Sequence, residues 1–66
     1  MARYKVVIET HVREGKLRAA VAEGPWWLKT AWAAGGGTTQ RAFAGLCDVI
    51  RDEYPKHTFE FIHAST

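Results

Sequence analysis

Three consecutive glycines, Gly35, Gly36 and Gly37, run into Thr38, Thr39 and, after Gln40, Arg41. These residue types at this spacing could bind an anion. Glycines let the backbone turn so that successive amides point one way, and exposed amides at the start of a helix attract negative charge. The amides of Gly37, Thr38 and Thr39 would hold a phosphate and Arg41 would add charge, which would make the segment a nucleotide or nucleic-acid site. No lysine follows the glycines, however, so the phosphate-loop pattern is incomplete. The more economical reading is a flexible connection into a helix that Thr38 caps.

Two further groups could do chemistry. Trp26 and Trp27, with Lys29 and Trp32 close behind, could stack on bases or on a flat ligand while the lysine meets a phosphate. His11, His57, His63 and Cys47 are metal-ligand types, but none has zinc-site spacing. Cys47 as a nucleophile would need an exposed, electropositive setting with a base in reach, whereas Leu46 and Ile50 around it predict burial. Asp48 and Asp52 stand one helical turn apart with Arg51 beside them, and no other carboxylates converge. No catalytic residue, metal site or cofactor is expected.

The elements that must position these residues follow from periodicity. Residues 3–12 alternate, with Tyr4, Val6, Ile8 and Thr10 on one face, and Leu17, Ala19 and Val21 resume the alternation after a polar break at Glu14, Gly15 and Lys16. A hairpin is predicted. Gly24 and Pro25 punctuate the chain, and residues 26–33 read as a third strand with Trp26, Leu28, Thr30 and Trp32 on one side; a helix beginning at Pro25 is the competing reading. From Thr38 to Tyr54 the period becomes helical, with Phe43, Leu46, Cys47, Ile50 and Tyr54 on one stripe, and Pro55 stops it. His57 to His63 alternates again as a final strand. The fold class is α+β: an antiparallel sheet of three to four strands, in the order β-β-β-α-β, with one helix packed on one face.

That arrangement has a consequence for function. Val6, Ile8, Leu17, Val21, Phe59 and Phe61 would lie under the helix, with Trp26 and Trp32 in the core. The other face would carry Val7, Ala20, Ala22, Trp27, Ala31 and Ile62 among Lys5, Arg18 and Lys29, too apolar for a wet surface. A partner protein is therefore expected on Trp26, Trp27, Lys29, Ala31 and Val7, or another copy of the chain in a dimer or larger assembly.

Size and charge set the limits. The 66 residues form a single domain, and a chain this short buries only roughly 60% of the surface it exposes when unfolded. A single cysteine rules out an internal disulfide, so aromatic packing or association must supply stability. No apolar run suits a secretory signal or a membrane span, which points to the cytoplasm and no membrane partner. The net charge of +2 is unevenly spread. Residues 1–18 hold five basic and two acidic side chains; residues 44–66 hold two basic and four acidic ones.

Two segments resemble a known family. Arg3, Tyr4, Lys5, Val6, Val7, Ile8 and Glu9 are similar to the opening strand of the HicB-like antitoxin domain, and Gly36, Gly37, Thr38, Thr39, Gln40, Arg41, Ala42 and Phe43 resemble its glycine-any residue-threonine start of a helix. Leu46 and Ile50 fall where that helix is apolar. The likeness covers about a third of the chain, and Glu23, Gly24, Pro25, Trp26 and Trp27 replace the family's acidic, proline-containing segment. It implies a non-enzymatic module that self-associates and neutralises a partner protein, without operator binding.

Overall fold

The computed structural model describes residues 3–64. Alternating residues build β1 (Arg3–Arg13), which reverses through Glu14 and Gly15 into β2 (Lys16–Glu23). Both turn residues have positive φ, 54° and 74°, the requirement of the two-residue turn whose twist suits a hairpin. Pairs Ile8–Val21, Thr10–Ala19 and Val12–Leu17 face the helix side. The register slips between Val7 and Ile8, so Val7 stands opposite Glu23.

Beyond Pro25 the structure departs from the expected third strand. Trp26–Leu28 is a single 3₁₀ turn, and only Trp32–Ala34 is strand (β3), antiparallel to β2. The amides of Leu28, Lys29 and Ala31 donate to the carbonyls of Pro25, Trp26 and Leu28 at 2.9, 3.3 and 3.0 Å. These short-range bonds compete with a ladder, and proline at the head of the segment cannot donate to one.

Helix α1 (Thr39–Glu53) begins as expected: Thr38 Oγ1 accepts from the Arg41 amide at 3.1 Å. Gly37, at φ 98°, takes the chain into the cap in a conformation that other residues resist. The helix ends at Tyr54, one residue before Pro55, and β4 (Thr58–Ala64) follows.

The sheet order is β3-β2-β1-β4. β4 runs parallel to β1, with Tyr4, Val6 and Ile8 beside Phe59, Phe61 and His63. The sheet is thus mixed rather than wholly antiparallel. Two successive reversals make β3 parallel to β1, and a helical crossover returns the next strand in the direction of the one before it, so β4 must match β1.

All four strands present one face to α1. The core is Val6, Ile8, Ala19, Leu28, Ala42, Leu46, Cys47 and Ile50, with Leu17, Val21, Phe43, Phe59 and Phe61 packed around it. Close approach at one point requires glycine. A Cβ on Gly35 would meet the Cβ of Ala42 at 2.9 Å and the Leu17 carbonyl oxygen at 3.1 Å. Gly35 also donates its amide to that oxygen at 2.7 Å, which ties the start of the helical segment to β2.

Candidate functional site

Because α1 lies on one face of the sheet, the other is left without a cover among the described residues. Registers place its side chains: Val7 beside Ile62 and Lys5 beside Glu60 across β1 and β4, Glu9 beside Ala20 and His11 beside Arg18 across β1 and β2, then Ala20 beside Trp32 across β2 and β3. Val7, Ala20 and Ile62 are half-buried, and Trp32 is 56% exposed. The apolar side chains therefore form a band in two parts, Val7 with Ile62 and Ala20 with Trp32, interrupted by Glu9 and Glu23 between β1 and β2.

Of the residues expected to bind a partner, Val7 lies in this band. Trp27 does not, because the 3₁₀ turn directs it inward, and Ala31, beyond that turn, packs against the core while also lining the depression beside Trp32. The Trp27 ring packs 5.3 Å from Tyr4, 4.8 Å from Tyr54 and 5.1 Å from His57, closing one end of the core. Trp26 and Trp32, expected to be buried, are the exposed tryptophans, Trp26 at 83%. The expected face was inverted at these positions for one reason. A turn of three residues rotates side chains by about a third of a circle per step, where a strand would alternate them.

Trp32 forms a corner with charge around it. The Arg18 guanidinium lies over its ring, 4.8 Å from the centroid. Arg18, Trp32, His11, Arg13 and Lys29 surround a depression of about 210 Å³ that no acidic side chain lines. Glu14, largely exposed, lies 4.0 Å from Arg18, and Glu9 stands beside Ala20 at the edge of the depression. With Glu14 in water and 4.0 Å away, the pair neutralises little. Register with β3 is what brings Lys29 and Trp32 to Arg18, and nothing in the local sequence announces that register.

On the opposite side of Trp32 a groove of about 300 Å³ runs between β3 and α1, lined by Trp27, Tyr54, Val49 and Glu53 among others. It continues the aromatic cluster and carries no basic group.

The expected anion segment is partly occupied by the fold itself. The Gly35 amide is bonded to Leu17 and the Thr38 hydroxyl to Arg41, while Gly36, Gly37, Thr39 and Arg41 are exposed. Only the amides beyond Gly35 remain to face a ligand.

The residues of catalytic type are held apart. Cys47 is buried, and that burial pushes its thiol above the ordinary range, with Arg51 pulling it down and Asp48 pushing it up to lesser degrees. A thiol held neutral is a poor nucleophile. Among the described residues no hydrogen bond joins it to a histidine. His63 stacks on Phe43 at 4.7 Å and reaches Thr10 Oγ1 at 3.2 Å, whereas His57 sits in the Trp27 cluster. Asp48 is paired with Arg51 at 3.4 Å. No group of three metal-ligand side chains gathers among the described residues, and none of their helices is long and apolar enough to cross a membrane.

No protein-family model, curated protein or solved structure gives a significant match to this chain.

Proposed function

We propose that this chain is a small non-enzymatic binding module that associates with a partner protein through the sheet face opposite α1. One observation carries the reading: two apolar pairs, Val7 with Ile62 and Ala20 with Trp32, stand on a sheet face that no described element of the fold covers. In a domain with so small a core, apolar side chains on a sheet gain more from a second surface than from water. The exposed indole suits this role, since tryptophan is enriched where partners anchor. The resemblance to HicB-like antitoxin domains supports a neutralising mode of action, in which the module occupies a surface its partner needs.

A photo-cross-linking amino acid placed in turn at positions 7, 62 and 32, and at helix positions 48 and 52, tests the proposal in cells that make the protein. Adducts with one recurrent protein at the sheet positions, and none at the helix positions, are expected. Equal labelling of both faces, or adducts from the helix alone, would refute it. A second copy as the recurrent adduct would identify the face as a self-association surface.

A further inference from the structure

The basic corner of the same face says something about what it meets. We infer that the partner's contacting segment is acidic and that one of its carboxylates enters the depression bounded by His11, Arg13, Arg18, Lys29 and Trp32. The inference rests on the sheet face being the partner surface, and deepens that reading by naming the chemistry of the other side.

Three features converge. First, the basic groups come from separate parts of the fold: β1 supplies His11 and Arg13, β2 supplies Arg18, and the segment before β3 supplies Lys29. Their charges are concentrated in one concavity instead of being spread over a solvated helix, and no acidic side chain lines it. Second, Arg18 is half-buried and its guanidinium rests on the Trp32 ring at 4.8 Å. The ring holds the guanidinium in place, and the one carboxylate paired with it, Glu14 at 4.0 Å, is exposed enough to give way to an incoming oxyanion. Third, the basic corner adjoins the Ala20–Trp32 part of the apolar band, with Glu9 between it and Val7 along β1. His11 and Val7 lie four residues apart on β1, about 13 Å at strand rise. An extended segment with a carboxylate at one end and an aliphatic side chain about four residues along would meet both.

The rest of the face favours a protein over a nucleic acid. Glu9 stands beside Ala20, and Glu60 beside Lys5, so carboxylates line the route that a phosphate backbone leaving the corner along β1 would follow. A polyanion bearing a charge on every unit would be repelled there, whereas an acidic stretch that becomes apolar would not.

The test titrates the whole ¹⁵N-labelled protein with an acetylated Glu-Asp-Ala-Ala-Leu-Leu peptide, with a Lys-Arg-Ala-Ala-Leu-Leu control, and with a ten-residue oligothymidine. Saturable shifts of the Trp32 Nε1–H and Arg18 Nε–H signals by the acidic peptide alone are expected. Affinity should fall at least about tenfold in the double variant Arg13→Ala, Lys29→Ala, and should weaken as salt rises past the point where the screening length drops below about 8 Å. Arg13 and Lys29 are exposed, so the variant's amide spectrum should otherwise match the parent. Tighter binding of oligothymidine, equal shifts with the basic control, or an unweakened double variant would each overturn the inference. If cross-links at positions 7 and 62 still capture one partner while the acidic peptide leaves the corner unmoved, the sheet-face reading stands and this inference falls. Absence of those cross-links removes the reading itself.

Discussion

Gly35 lies so close to Ala42 that a methyl group on the glycine would stand 2.9 Å from the alanine Cβ, inside van der Waals contact. The neighbour on the other side is backbone, the Leu17 carbonyl oxygen, which already accepts the Gly35 amide. Neither side can yield without moving α1 away from β2. Gly35→Ala should cost about 1–3 kcal/mol in denaturant unfolding, the range for overpacking. Gly36→Ala places its methyl at an ordinary 3.6 Å from the flexible Arg41 side chain and should stay within about 0.5 kcal/mol of the parent. Equal effects at the two glycines would contradict the packing described.

The adjacent tryptophans should behave oppositely. Trp27 touches Tyr4, Tyr54 and Phe59, so Trp27→Ala should destabilise by about 2–4 kcal/mol. Trp26 is exposed, and Trp26→Ala should alter stability by no more than about 0.5 kcal/mol. Thermal melts of the two variants decide it, since a strand through residues 26–33 would reverse the order.

Loss of the helix cap should be measurable and repairable. Thr38→Ala removes the acceptor for the Arg41 amide and should cost about 1 kcal/mol, whereas Thr38→Asp keeps an acceptor and adds a charge that the helix N-terminus favours. Circular dichroism during urea unfolding would show both. A neutral Thr38→Ala would mean that the cap contributes nothing.

Cys47 should report on unfolding. Its burial raises the thiol pKa above the ordinary 9.0, so the folded state holds the neutral form more firmly than the unfolded chain does. The associated stability is complete below the unfolded pKa and is lost as pH rises through the folded one, because the unfolded chain ionises first. Stability should therefore decline more steeply in the alkaline range for the parent than for Cys47→Val. Modification by a thiol reagent at neutral pH should proceed no faster than the opening of the core. Rapid labelling of folded protein would show the thiol to be accessible.

Local signals carried most of this fold. The hairpin, the capped helix and the last strand are each written in a short window, as alternation, a threonine before a helical repeat, or a proline stop. Val6, Ile8, Phe59 and Phe61 were readable as helix-facing because period alone assigns a side of the sheet. Strand direction is different: alternation in residues 57–63 says nothing about which strand lies alongside, and the parallel match to β1 comes from the crossover. The tryptophans were misplaced because Trp26, Leu28, Thr30 and Trp32 at even spacing imitate a strand, and only the turn after Pro25 separates Trp26 from Trp27. Val7 was legible in the candidate face; the meeting of Arg18, Lys29 and Trp32 was not, being a product of cross-strand register.

The pairing of β1 with β4 joins the two ends of the described chain, and this dictates an order of assembly. A ribosome delivers β1 and β2 early, and their turn can close within a few residues. One long edge of β1 then stays bare until residues 58–64 arrive, after the whole helix has been made. During that interval the nascent sheet exposes an unpaired central strand, the kind of template on which stray chains pair. Closing the contact also requires the longest loop in the molecule, which slows the last step relative to the first. A stop codon before Thr58 would therefore leave β1, the strand on which the domain is centred, as its open border.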